Sequence, residues 1–274
     1  MTPFERLTKI VETLCSENGC PWDQAQTYHS LRSSLIEETY EIIEAIETEN
    51  LDQFCEELGD LLSVIMLLSQ IAKDDGDFDI DQVIGTIADK LVRRHPHVFG
   101  DLQVDNADQV LQNWEEIKLS EKGYEDRKSA LDGVPVVLPS LQRAQKLQKK
   151  AARVGFDWEN VTDLLPKLRE EIREIEECLE KGESDQVEME VGDLLFTVVN
   201  LARSLNIEAE DALRQSNRKF ERRFQQMEAV IESCKQQLAD YNLGQLDQLW
   251  EAVKAAESAA KWLTIDKTTT YSTI

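Results

Sequence analysis

Two sets of four carboxylates have the residue types and spacing that suit the binding of a divalent cation. They are Glu38, Glu41, Glu57 and Asp60, and Glu171, Glu174, Glu190 and Asp193. In each set two acids three residues apart are followed, after fifteen intervening residues, by a second such pair. Residues three apart on a helix lie about 60° apart around its axis, so each pair would share a helix face. Two neighbouring helices would therefore bring four carboxylates together.

An internal repeat relates the two sets. One constant shift in residue number relates Glu38 to Glu171 and each other acid of the first set to an acid of the second. The same shift relates Glu37 to Glu170 and residues 59–62 (GDLL) to residues 192–195. With small changes of that shift the match continues from 89–94 to 218–223 and from 113–115 to 249–251. Short turns near 48–50 and 182–184 would join the paired helices as antiparallel neighbours. We therefore expect a duplicated helical unit.

The acids lie within apolar helical stripes, as Glu38 does between Leu35 and Ile42. For any single pair the alternative is a solvated helix face. Crowded, partly buried carboxylates would each cost several kcal/mol and repel one another. Protonation, basic partners or a divalent cation would compensate, and an all-oxygen set suits Mg²⁺, with Mn²⁺ possible. A di-iron site would need Glu-x-x-His, which these glutamates lack.

Two basic clusters follow the acids, each with a tryptophan after it. They are Lys90, Arg93 and Arg94 with Trp114, and Lys219, Arg222 and Arg223 with Trp250. Such clusters commonly make salt bridges or solvated faces, but lysine and arginine also clamp phosphate oxygens, and an aromatic face can cover a nucleobase. Together with metal-binding acids they would form a polyphosphate site. Walker-type, GxGxxG and HExxH motifs are absent from the sequence.

Composition narrows the class of protein and its partners. The 274 residues include 30 basic and 54 acidic side chains, and a net charge of -24 disfavours nucleic acid and anionic membranes as partners. The five cysteines form no CxxC pair, which favours a reducing cytoplasm over a disulfide framework. Apolar residues recur at helical spacing and no run reaches the ~20 residues of a membrane span. We expect an all-α protein.

Pro135 and Pro139 lie in a segment without helical periodicity, which we interpret as a linker. The predicted organisation is an N-terminal helical domain at 1–119, a linker at 120–139, a C-terminal helical domain at 140–256 and a loosely ordered tail at 257–274. Each domain would be a helical bundle, and the two would lie in tandem.

The sequence closely resembles the MazG family of nucleoside triphosphate pyrophosphohydrolases. The matching segments are 20–23 (CPWD), 37–41 (EETYE), 57–62 (ELGDLL), 93–99 (RRHPHVF), 154–158 (VGFDW) and 219–223 (KFERR). The resemblance implies an all-α fold of the NTP pyrophosphatase type, Mg²⁺-dependent conversion of NTP and water to NMP and diphosphate, broad nucleotide tolerance, clearance of aberrant or excess nucleotides and a homodimer. One carboxylate would act as general base.

The resemblance also places functional residues. It implies catalysis and metal binding mainly in the C-terminal half, at Glu171, Glu174, Glu190 and Asp193, while the N-terminal half keeps all four acids. The residues expected to contact nucleotide are Lys167, Glu170, Glu171, Glu190, Asp193, Lys219, Arg222, Arg223 and Trp250, with Lys90, Arg93 and Arg94 in the N-terminal half. The competing hypothesis is a non-catalytic nucleotide sensor or scaffold that retains a vestigial metal site.

Overall fold

The computed structural model describes residues 1–120 and 128–268. These residues form helices, turns and loops without any β-strand, which confirms the all-α prediction. The chain divides into two compact units, 1–125 and 126–274. Residues 121–127 of the predicted linker lie outside the described part, and 128–139 are turn and loop ahead of the next helix.

The N-terminal unit is built on an antiparallel helical hairpin that further helices cover. Its helices are α1 (Pro3–Cys15), α2 (Pro21–Gln24), α3 (Arg32–Glu47), α4 (Leu51–Asp74), α5 (Ile80–Arg94), α6 (Pro96–Phe99) and α7 (Ala107–Ser120). The core lies where α1 and the start of α3 pack on the second half of α4, and Val11, Leu31, Met66 and Leu67 are buried there. This packing fixes α4, which carries Glu57.

The C-terminal unit repeats the hairpin and ends in two long helices. Its helices are α8 (Ser140–Arg153), α9 (Leu164–Lys181), α10 (Ser184–Ser204), α11 (Ala209–Ser233) and α12 (Leu243–Thr268), with short 3₁₀ turns at Val161–Asp163 and Leu238–Asp240. Met227, Ile231 and Val253 form a small core between α11 and α12. Helix α8 packs on both α10 and α11.

The hairpin turns lie where the sequence predicts them. Helix α9 ends at Lys181, Gly182 adopts φ 73°, and α10 begins at Ser184. Only glycine takes up this left-handed conformation at little cost, so Gly182 ends α9 without strain. In the N-terminal hairpin the side chain of Asn50 accepts a hydrogen bond from the Gln53 backbone N–H at 3.2 Å and begins α4. Both turns are short and hold their helix pairs antiparallel.

Two buried glutamines attach α8 to its neighbours. Gln145 donates to the carbonyl of Ile207 at 2.8 Å and accepts from the Ala209 N–H at 2.9 Å. One helical turn later, Gln148 donates to the carbonyl of Phe196 at 2.8 Å. Because buried amides are costly without partners, these bonds fix the position of α8 along α10 and the start of α11.

The last helix extends beyond the predicted end of the domain. Residues 257–268, which we expected to be loosely ordered, continue α12 to Thr268. Glu257 pairs with Arg222 and Arg223 of α11 and so attaches this part of α12 to its neighbour. Residues 269–274 of the predicted tail lie outside the described residues.

Candidate active site

The C-terminal hairpin brings three of the predicted acids together. Carboxylate oxygens of Glu171 and Glu174 on α9 and of Glu190 on α10 lie within 4.8 Å of one another. Glu171 is 3% exposed, and the other two are half-buried. Asp193 is exposed on the next turn of α10 and does not belong to this close group. Its role as a ligand stays a prediction.

Lys167 is a basic side chain that contacts this cluster directly. Its Nζ atom lies 2.8 Å from an oxygen of Glu171 and 3.1 Å from an oxygen of Glu170. Its hydrogen bonds to Glu171 and then to Glu170 raise the pKa of Lys167. The lysine therefore stays charged at neutral pH and offsets part of the negative charge of Glu171.

The remaining negative charge of the cluster is not fully neutralised by protein groups. Desolvation, followed by repulsion from Glu171, raises the pKa of Glu174 although Lys167 acts in the opposite direction. Such a shift means that the ionised form is disfavoured in its surroundings. Three convergent oxygen donors, with the ionised form of Glu174 disfavoured, fit a hard divalent cation, which would stabilise the charged carboxylates.

The N-terminal hairpin forms a matching cluster. Oxygens of Glu38, Glu41 and Glu57 lie within 4.8 Å of one another, and Glu57 is 9% exposed. Desolvation is the largest cause that raises the pKa of Glu38 and of Glu41, and neighbouring carboxylates add to it. Asp60 is exposed and contributes to the shift at Glu38 without joining the close group. The repeat therefore extends from sequence to geometry.

The two clusters differ in their basic partner. The shift that aligns the acids places Ser34 where the C-terminal half has Lys167. Gln53 supplies a neutral contact instead, through a hydrogen bond from its Nε2 atom to Glu57 at 3.4 Å. Because a neutral amide offsets less charge than an ammonium group, the two halves of the chain are not electrostatically equivalent.

The basic residues of the C-terminal half are engaged within the α11–α12 pair. Arg222 and Arg223 both pair with Glu257, and the Arg223 Nε atom donates to it at 2.8 Å. The ring of Trp250 lies 5.2 Å from that of Phe220, with Arg223 above it at 6.0 Å. Lys219 is exposed. Nucleotide binding by these four residues stays a prediction, and the contacts of Arg222, Arg223 and Trp250 hold two helices together.

The N-terminal basic residues form a similar arrangement. Arg94 and Lys118 lie over the ring of Trp114, each 5.0 Å from its centroid. Arg93 is exposed and Lys90 is half-buried on α5. Cation–π contacts of this kind stabilise the packing of one helix on another. The predicted role of Lys90, Arg93 and Arg94 in nucleotide binding stays untested.

A family model described as the MazG nucleotide pyrophosphohydrolase domain matches residues 26–99 and 159–227. Each matched segment contains one of the two acid clusters, and together they cover just over half of the chain. The chain belongs to the MazG family. Membership explains why α3–α4 and α9–α10 share one pattern of acids, because the MazG domain is present twice.

Relatives in the MazG family align over nearly the whole chain. A protein of Escherichia coli (strain K12) named nucleoside triphosphate pyrophosphohydrolase is 43% identical over 260 residues, which are 94% of this chain and 99% of that protein. A Thermotoga maritima protein named nucleoside triphosphate pyrophosphohydrolase/pyrophosphatase MazG is 43% identical over 93% of this chain and 96% of its own length. The uncharacterized protein YabN of Bacillus subtilis is 47% identical over 93% of this chain and 52% of its own.

Proposed function

We propose that this protein is a nucleoside triphosphate pyrophosphohydrolase that converts NTP and water to NMP and diphosphate. The observation that carries the proposal is the convergence of Glu171, Glu174 and Glu190 in a chain that matches the E. coli pyrophosphohydrolase over 94% of its length. The position of the cluster on a helical hairpin, with a lysine beside it, suits the binding of an anionic polyphosphate.

The acids of the cluster would hold Mg²⁺, with Mn²⁺ as a substitute. When bound, such an ion neutralises phosphate charge and lowers the pKa of coordinated water. Lys167, which already contacts Glu170 and Glu171, would donate to a non-bridging phosphate oxygen at the edge of the cluster. The hairpin would thereby place the triphosphate across the ends of the acidic side chains and orient its α-phosphorus toward water.

Attack at the α-phosphorus distinguishes this reaction from ordinary phosphatase chemistry. Hydrolysis of ATP in H₂¹⁸O should place the label in AMP and leave diphosphate unlabelled, as read by mass spectrometry of both products. Label in diphosphate, or release of orthophosphate, would refute the proposed bond cleavage. Binding of a non-hydrolysable triphosphate without any turnover of ATP would favour the nucleotide-sensing alternative.

We propose that the C-terminal hairpin is the principal catalytic half. This assignment is supported by Lys167, because the N-terminal hairpin has Ser34 at the matching position. A lysine beside the acids lowers the repulsion that a polyphosphate would meet on approach. The N-terminal cluster retains the geometry for an ion.

We also propose a homodimer formed through the C-terminal hairpin. Exposed apolar residues follow one stripe of α9 and one of α10, at Leu165, Ile172, Leu179, Val191, Leu195, Val198 and Leu205. An apolar surface of this extent favours burial against another protein surface. Sedimentation equilibrium of the full chain should give twice the monomer mass, and a monomer at micromolar concentration would contradict the proposal.

The proposed setting is the cytoplasm, where the enzyme would clear aberrant or excess nucleotides of several kinds. All five cysteines are free in the structure, which suits a reducing compartment. Within the described residues, no helix combines the length and hydropathy required to cross a membrane. A panel of canonical and damaged (d)NTPs, assayed for diphosphate release, would measure the breadth of specificity.

A further inference from the structure

Lys167 lies where it would compete with a metal ion for the C-terminal acid cluster. Its Nζ atom is 2.8 Å from a carboxylate oxygen of Glu171, which is buried and belongs to the three convergent acids. Mg²⁺ binds oxygen at about 2.1 Å, so an ion on that same oxygen would lie within about 5 Å of the ammonium group. Two cations this close repel each other strongly where bulk water is excluded. The lysine and the ion would therefore compete for Glu171.

Glu170 gives Lys167 a second partner outside the cluster. The Nζ atom lies 3.1 Å from an oxygen of Glu170. The side chain of Glu170 is 43% exposed, and its carboxylate does not belong to the group of three convergent acids. Because a lysine side chain is long and flexible, Lys167 can leave Glu171 and keep its bond to Glu170. Its positive charge would then stay at the rim of the cluster.

The acid cluster needs positive charge both before and after metal binding. Glu171, Glu174 and Glu190 would carry three negative charges, and their oxygens lie within 4.8 Å of one another. In the metal-free protein Lys167 offsets one of these charges, at Glu171. A divalent cation would offset two, so its replacement of the lysine at Glu171 would improve the charge balance of the cluster.

We propose that Lys167 is a resident counter-ion of the C-terminal cluster, which pairs with Glu171 in the metal-free protein and moves onto Glu170 when a divalent cation binds. Glu170 is then a positioning residue, because it holds the released ammonium group at the rim, where the substrate phosphates would meet it. This last step rests on the proposed pyrophosphohydrolase function. The exchange makes the metal bind before the nucleotide, since Lys167 becomes available to phosphate only after it leaves Glu171.

The N-terminal cluster is built without this exchange. The shift that aligns the two clusters places Ser34 at the position of Lys167 and Glu37 at that of Glu170. Glu57 instead accepts a hydrogen bond from the neutral amide of Gln53 at 3.4 Å. Among the described contacts, a cation at Glu57 would therefore displace an amide and not a charged group, so the exchange belongs to the C-terminal half.

Binding of Mn²⁺ measures the competition, because Mn²⁺ suits the same oxygen donors as Mg²⁺ and the free ion gives an electron paramagnetic resonance signal. The full chain is titrated without nucleotide and carries Glu41→Gln and Glu57→Gln, which remove two of the N-terminal donors. We expect Lys167→Met to lower the Kd for Mn²⁺ about tenfold, and Lys167→Arg, which keeps the charge, to leave it close to the parent value. Unchanged or weaker Mn²⁺ binding in Lys167→Met would refute the competition.

Two further variants separate the exchange from a general effect of charge. Lys149→Met removes a lysine that pairs with Glu208 at 2.6 Å, and an equal gain in Mn²⁺ affinity there would refute the exchange. Glu170→Gln should raise the Kd for Mn²⁺ about fivefold when Lys167 is present, because the lysine then rests on Glu171 alone, and by less than about twofold in Lys167→Met. Equal rises in the two backgrounds would refute the role of Glu170. If Lys167→Met loses its helical circular dichroism, unchanged Mn²⁺ binding in Glu170→Gln would still overturn the proposal.

Nucleotide binding should change in the opposite direction. At saturating Mg²⁺, Lys167→Met should bind α,β-methylene ATP about tenfold more weakly in isothermal titration calorimetry, because the phosphates lose a charged donor. A lysine that only supported the fold would weaken metal and nucleotide binding together, and unchanged nucleotide affinity would refute the transfer of Lys167 to phosphate. A wild-type protein that neither binds this analogue nor releases diphosphate from ATP would refute the proposed function, while the Mn²⁺ result would stand.

Discussion

Replacing Lys167 with methionine would remove the positive partner of a buried carboxylate while keeping a side chain of similar length. The change leaves Glu171, at 3% exposure, without the contact that Nζ makes at 2.8 Å. The carboxylate would then have to remain charged without that lysine or take up a proton. Both outcomes lower the free energy of unfolding at neutral pH.

The structure sets bounds on the size of this loss. A glutamate in an unfolded chain has a pKa of about 4.3, so protonating it at pH 7 costs about 3.7 kcal/mol, at about 1.36 kcal/mol per pH unit. This cost is the upper limit of the loss in the free energy of unfolding. The side chain of Lys167 is 34% exposed, so water would replace part of its interaction with Glu171. We therefore expect a loss of about 1–3 kcal/mol.

Urea denaturation of the full chain in EDTA, followed by circular dichroism, measures this difference. Lys149→Met is the matched control because Lys149 pairs with Glu208 at 2.6 Å on an exposed surface, where we expect less than about 1 kcal/mol. Equal losses in the two variants would refute the claim that Lys167 compensates a buried charge. A loss in Lys167→Met that stayed the same in a Glu171→Gln background would contradict the part assigned to Glu171.

Five further substitutions test the clusters and the helices that carry them. Glu190→Gln should abolish most diphosphate release without loss of helical circular dichroism, and Glu57→Gln, its counterpart in the N-terminal half, should retain most of it. Glu41→Gln should raise the melting temperature in EDTA at about pH 7 but not at about pH 4. The pKa of Glu41 in the folded state is raised from 4.5, so the folded state loses stability as the pH rises through that pKa. Equal changes in melting temperature at the two pH values would exclude this cause. Gly192→Ala and Gly59→Ala should each stabilise the chain by about 0.5–1 kcal/mol in urea titrations, because each Cβ meets nothing within 4 Å, and destabilisation would show that another surface approaches there.

The sequence predicted the hairpins because their signals are local and repeated. Glycine at 182, the spacing of the acids and the constant shift between the two halves depend on neither distant packing nor solvent. Glu171 and Glu57 were expected in apolar stripes, and both are buried. Asp193 shares the pattern but lies on an exposed turn, because a three-residue spacing brings two side chains to one face without fixing how deep each lies.

Other parts of the C-terminal unit depend on contacts between distant residues. Gln148 meets Phe196 and Asp157 meets Arg203 across more than forty residues, and no periodicity marks either pair. The predicted tail begins at Glu257, which pairs with two arginines on α11, a contact that composition near the chain end does not reveal.

The bond between Glu257 and the two arginines determines where the polypeptide can be shortened. The predicted domain boundary suggests that the chain could end after residue 256. That truncation would delete Glu257, the only carboxylate that the described contacts assign to both arginines. The side chain of Arg223 is 17% exposed and would lose that partner. Affinity tags and crystallisation truncations therefore belong beyond Thr268, where the last helix ends.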